Sequence, residues 1–122
     1  MAEDIADFCR RHSLPSADEF ALNLAAEELF TNSVVHGYKG AEGCEVWLSL
    51  GVEGGGVKMS VSDSAPKFDP LTEAAPPDLA ADAETRQIGG LGVFFAQKQM
   101  AWTRYEYTGG KNVITMFRKI SQ

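Results

Sequence analysis

Positive charge is scarce in this chain. Of its 122 residues only 11 are basic against 17 acidic, a formal net charge of −6. Sequence-independent binding to nucleic acid or to an anionic membrane needs a basic face, so neither partner is expected. No apolar run approaches the roughly 20 residues of a membrane span. The acidic start Met1-Ala2-Glu3-Asp4 also lacks the character of a secretory signal. The two cysteines, Cys9 and Cys44, form no CxxC pair and have no histidine cluster nearby, which argues against a zinc site. They read as reduced thiols of a cytoplasmic protein, and a Cys9–Cys44 disulfide is the alternative that sequence leaves open. Internal repeats and low-complexity tails are missing too.

What is present suits one globular unit. An apolar fraction of 44% and a charged fraction of 23% are ordinary for a soluble domain. A chain of this length buries one real core and is too short for two, so residues 1–122 are expected to form a single domain. Ile5, Phe8 and Cys9 at i, i+3, i+4 predict a short helix ending near His12, broken by Ser13-Leu14-Pro15. Ser16-Ala17-Asp18-Glu19 has the form of a capping box, with acids suited to a helix's first turn. From Phe20 a long helix is expected to reach about Tyr38, stopped by Gly37 or Gly40.

The period then changes. Val46, Leu48, Leu50 and Val52 alternate, Glu53-Gly54-Gly55-Gly56 turns, and Val57, Met59 and Val61 alternate again, which predicts a β-hairpin. Asp63 continues the second parity, so a carboxylate falls at the core-facing end of a strand. Residues 64–88 hold four prolines and few large apolar groups, the composition of a lid or mobile loop. Gly89-Gly90-Leu91-Gly92 opens a helix over 93–100. Trp102–Tyr107 and Asn112–Ile120, around Thr108-Gly109-Gly110, form a second hairpin. The order predicts an α+β two-layer sandwich, with helices on one face of a mixed, largely antiparallel sheet.

Polar groups interrupt the long helix in Glu27-Glu28-Leu29-Phe30-Thr31-Asn32-Ser33-Val34-Val35-His36-Gly37. Glu28, Asn32 and His36 recur at i, i+4, i+8 and so share one stripe. A carboxylate can take a proton, and a carboxamide oxygen is a hard ligand suited to Mg²⁺. Glycines opening a helix expose N–H groups and a positive dipole end to phosphate. A buried carboxylate such as Asp63 can accept from an exocyclic amine, although alone it is as well explained by an Asx-turn.

Together these runs resemble the GHKL ATPases, the group that includes gyrase, heat-shock chaperone, histidine kinase and mismatch-repair ATP sites. Glu28-x-x-x-Asn32 with His36-Gly37-Tyr38 looks like the N-box, Asp63-x-x-x-x-Phe68-Asp69-Pro70 like the G1 box, and Gly90-Leu91-Gly92 like the G2 box. The run is most similar to that of the anti-sigma-factor serine/threonine kinases. The resemblance implies ATP and Mg²⁺ as cofactors, with Asn32 coordinating the metal and Glu28 acting as general base toward a partner's Ser or Thr hydroxyl. It implies that Asp63 reads the adenine amino group, with Thr115 nearby on the last strand. Gly90 and Gly92 would hinge a lid over residues 71–88, and Phe68 and Phe94 would pack at the pocket edge. His36 is as well read as structural support. The partner would be a protein, an anti-sigma antagonist or a sigma factor, and a homodimer is implied as well.

Three departures stand out. Ala65 occupies a position where the family usually has glycine, and alanine tolerates positive φ poorly. An arginine often ahead of the G2 glycines is absent, with Ile88 aligned there and Arg86 the nearest cation. The family's first β-strand has no counterpart before the first helix. A non-catalytic, nucleotide-dependent binding switch is therefore the alternative reading.

Overall fold

The structure, a computed structural model, describes residues 2–34, 45–71 and 96–121. Helix α1, Ala2–Arg11, buries Ile5, Phe8 and Cys9 as its spacing predicts. It ends because Ser13 turns left-handed at φ 53°, so that Leu14 N–H reaches the Cys9 carbonyl at 2.9 Å and Ser13 N–H the Arg10 carbonyl at 3.2 Å. That pair of bonds is a Schellman stop, formed here without the usual glycine. Cys9 is a free, buried thiol, and burial, then Glu19 and Asp18, push its pKa up. Cys44 lies outside the described residues.

Helix α2, Ser16–Asn32, starts differently from the expected capping box. Pro15 is the N-cap, with extended ψ of 153°, and no side chain caps the helix. The Pro15 carbonyl takes the Asp18 and Glu19 amides, which leaves Ser16 inside the first turn. Asp18 is not a solvated first-turn acid either: it is wholly buried. Its Oδ1 accepts from Arg118 Nε at 2.7 Å and Ser121 Oγ at 2.8 Å, and its Oδ2 from Ser121 N–H at 3.0 Å. Burial raises the Asp18 carboxyl's pKa, but Ser121 and Arg118 outweigh it and hold the group below the usual carboxylate range. The buried stripe of α2 is built largely of small residues, Ala21, Ala25 and Ala26 with Leu22 and Leu29, so Phe20 and Phe30 are left exposed. After Asn32 the coil widens into a π turn at Ser33–Val34. The Gly37 and Gly40 stops lie outside the described residues.

Strands β1, Val46–Glu53, and β2, Gly56–Asp63, pair in the expected hairpin from Val46↔Asp63 to Glu53↔Gly56. Gly54 and Gly55, both at positive φ, make its two-residue turn. Gly56 is glycine for another reason: a Cβ there would lie 2.3 Å from the Phe117 ring and 2.6 Å from the Arg118 carbonyl oxygen. Strands β3, Trp102–Thr108, and β4, Lys111–Lys119, form the second hairpin. Pairing of β2 with β4 joins the two in the order β1-β2-β4-β3, and every pairing is antiparallel among the described residues. Of the expected helix over 93–100, residues 96–100 are described: Ala96–Lys98 is helical, and the chain turns out of the helix at Gln99 and Met100, two residues earlier than expected.

One sheet face carries Val57, Met59, Val61, Ile114 and Met116 against the helices' Ile5, Leu22 and Leu29. This is the expected two-layer α+β architecture. The opposite face carries Trp47 beneath the Lys111 ammonium at 4.0 Å, and Trp102 stacked on Phe117 at 5.7 Å. Among the described residues, no helix is long and apolar enough to cross a membrane.

Candidate functional site

Alternation along β2 turns Val57, Met59, Val61 and Asp63 toward the helices, so the strand's last inward residue is an acid. Its partner on β4 is Asn112. Both side chains are buried, and a charge in that position needs hydrogen bonds. Asp63 Oδ1 accepts from Asn112 Nδ2 at 2.8 Å and Ala65 N–H at 3.1 Å, and Oδ2 accepts from Ser33 Oγ at 2.6 Å. The Ala65 bond closes an Asx-turn. Ala65 does so without a positive φ, because Ser13 is the one non-glycine in that region among the described residues.

The C-terminal end of α2 reaches the same place. The π turn brings Ser33 over Asp63, and Asn32 is 2% exposed one residue earlier. Asn32 Nδ2 donates to the Glu28 carbonyl at 2.7 Å, which commits the amide end of the side chain. Its Oδ1 is buried and has no hydrogen-bond partner among the described residues. Leu29, Asn32, Ser33, Asp63, Phe68 and Asn112 line one cavity with Pro70 and two sheet residues. Its free space is about 20 Å³, room for one water. Glu28 stands half-buried one turn before Asn32, and burial, then Glu27, raise the pKa of its carboxyl.

Thr115 is not at this site. It pairs with Ser60, and their hydroxyls meet at 3.2 Å on the sheet face away from Asp63. An odd separation along β4 decides this, since Asn112 and Thr115 are three residues apart and alternate residues share a face. The residues 90, 92 and 36, and lid residues 72–88 with Phe94, lie outside the described residues. Among the described residues, no group of three His, Cys, Asp or Glu side chains could hold a metal by itself.

A buried carboxylate on a central strand, with an asparagine oxygen left over at a helix end beside it, is one arrangement expected of the resemblance. The family model of the histidine kinase-like ATPase domain matches residues 1–118. The chain belongs to this family. It is 35% identical over 96 residues to the serine-protein kinase RsbW of Listeria monocytogenes, covering 76% of this chain and 61% of that protein. The RsbW of Listeria innocua is 34% identical over the same coverage. The serine/threonine-protein kinase BtrW of Bordetella bronchiseptica is 29% identical over 97 residues, 80% of this chain and 68% of that one. The match thus spans about three-fifths of the length of the RsbW relatives.

Two residues of this histidine kinase-like ATPase domain escaped the sequence reading. Ser33 was hidden because an α-helical wheel does not anticipate the π turn that redirects it. Asn112 was hidden because its importance depends on which strand β4 pairs with. The one available signal was that Asn112 is a polar residue on the parity of Ile114 and Met116.

Proposed function

We propose that this domain binds Mg-ATP between α2 and the Asp63 end of the sheet and transfers its γ-phosphoryl group to a serine or threonine of a partner protein. The observation that carries the reading is the buried Asn32 Oδ1, held with its amide end committed to Glu28 and its oxygen without a partner among the described residues. A buried acceptor left this way costs about 1–3 kcal/mol unless something fills it. A hard carboxamide oxygen fits Mg²⁺, whose other ligands come from phosphates and water. Mg²⁺ so held would neutralise charge building on the transferred phosphoryl group.

In this reading Asp63 accepts the adenine amino group at the cavity floor. The cavity as it stands admits about a water's volume, so the base enters only as the cavity opens. Glu28 orients the partner's hydroxyl and takes its proton as the oxygen bonds to the γ-phosphorus. The bond to the β-phosphate oxygen breaks, leaving ADP and a phosphorylated side chain. The raised carboxyl of Glu28 supports the role of base, because a base poised nearer neutral pH is the more effective one. The RsbW and BtrW names support protein serine/threonine phosphorylation. An anti-sigma antagonist or sigma factor as partner, homodimer formation and a cytoplasmic location belong to the same reading.

Isothermal titration with Mg-ATP tests the binding step, and no heat at millimolar nucleotide would sink it. Phosphorylation of co-purifying partners by wild type and Glu28→Ala tests the chemistry. A kinase loses transfer in the variant while keeping nucleotide, whereas a pure binding switch keeps its partner control.

A further inference from the structure

We infer that Asn112 is a positioning residue for purine selection: its carboxamide orients Asp63 and sets the course of residues 64–68. The inference rests on the ATP reading of the cavity and names what makes that site selective. The two N–H groups of Asn112 Nδ2 serve three acceptors, one of them shared: Asp63 Oδ1 at 2.8 Å, the Ala65 carbonyl at 3.0 Å and the Pro66 carbonyl at 3.1 Å. Its Oδ1 accepts from Phe68 N–H at 2.9 Å and from the Tyr105 hydroxyl at 2.5 Å. One buried side chain therefore holds the carboxylate and three backbone groups of the five residues after it. The Tyr105 hydroxyl, from the neighbouring strand β3, holds the carboxamide in place.

The consequence lies in what Asp63 can still accept. Its Oδ1 is occupied by Asn112 and Ala65, and its Oδ2 takes the Ser33 hydroxyl. A carboxylate oxygen has two lone-pair directions, so among the described residues Oδ2 keeps one for an incoming donor. With the carboxylate unable to rotate, that direction is set before any ligand arrives. An exocyclic amine satisfies it, whereas a purine carbonyl at the same place sets acceptor against acceptor and is rejected. Ala65 fits the same scheme. A glycine would free the loop to take many courses, and here Asn112 holds an alanine-containing loop in one.

The test compares Mg-ATP and Mg-GTP binding to wild type and Asn112→Asp at pH 8 and pH 6.5, each value taken relative to wild type at the same pH. The aspartate keeps the acceptor that Phe68 and Tyr105 use and removes all three donated contacts. It also sets a second carboxylate against Asp63, so the pair holds a proton more tightly than either acid alone. ATP binding by the variant should weaken about tenfold at pH 8, and the ATP-over-GTP preference should narrow by about the same factor. At pH 6.5 part of both should return, as the shared proton replaces the lost donor. Unchanged affinity and preference at pH 8 would overturn the inference and leave the ATP reading standing. Equal weakening of ATP and GTP with no recovery at pH 6.5 would also overturn it, as the mark of a merely structural residue. Should Asn112→Asp fail to fold by circular dichroism, Tyr105→Phe decides, since it removes one donor to Asn112 and keeps the ring. The preference should narrow about twofold or more there, and no narrowing would count against the role. Wild type binding neither nucleotide would bring down both readings together.

Discussion

Asp18→Ala is expected to be among the most damaging single changes away from the proposed nucleotide site. Asp18 is 0% exposed and takes three hydrogen bonds from Arg118 and Ser121. Truncating it strands the Ser121 amide and leaves the Arg118 guanidinium without its counter-charge. Removing one partner of a buried pair costs about 3–5 kcal/mol. The Arg118 side chain is 15% exposed and keeps the Gln99 carbonyl at 2.7 Å, which places the loss at the lower end. For 122 residues, an unfolding entropy of about 2.1 cal/mol/K per residue turns roughly 3 kcal/mol into a Tm lower by about 12 °C. Thermal melts of wild type, Asp18→Ala, Arg118→Met and the double variant measure it. Coupling between the two sites should exceed about 1 kcal/mol. The pH profile carries a second check. Because the folded carboxyl is held below its usual range, its stabilisation is present above the unfolded value near 3.9 and is lost as pH falls through the lower folded one. The gap between wild type and Asp18→Asn should therefore be full at pH 7 and shrink below about pH 4. A Tm for Asp18→Ala within about 3 °C of wild type at pH 7 would refute the reasoning.

Ser13→Gly should stabilise the protein by about 0.5–1 kcal/mol in urea melts, because glycine meets no penalty at the φ of 53° that stops α1. Gly56→Ala should destabilise by about 1–3 kcal/mol, since its methyl would press on the Arg118 carbonyl oxygen, which cannot rotate away as the Phe117 ring can. Phosphoryl transfer should rise with pH through a limb lying above the usual glutamate value, because burial and Glu27 keep Glu28 protonated longer. Glu27→Gln should move that limb toward lower pH, and an unmoved limb would remove Glu27 from the account.

Local pattern carried much of the architecture. Both hairpins were legible because period-two alternation and paired glycines act over fewer than ten residues each, and their turns close at Gly54-Gly55 and Gly109-Gly110. Helix α1 was legible from three apolar positions. The start of α2 was misread because Ser16-x-x-Glu19 is only permissive of a capping box. Pro15 took the cap position, and Asp18 was drawn inward by Arg118 and Ser121, a hundred residues away in the chain. The same distance hid Asn112, whose pairing with Asp63 spans 49 residues.

The two hairpins, the helices over the sheet, and Glu28, Asn32 and Asp63 as the polar groups to watch were all legible along the chain. Each rests on residue type and short-range periodicity, which the chain carries wherever it folds. Tertiary structure alone decided that β2 lies beside β4, and with that pairing came the partners of Asp63. Face is set by parity within one strand, but neighbours are set by the register between two, and register is a property of no single segment. Parity along β4 puts Thr115 on the far face, and the β2–β4 register then sets it beside Ser60 and sets Asn112 beside the acid.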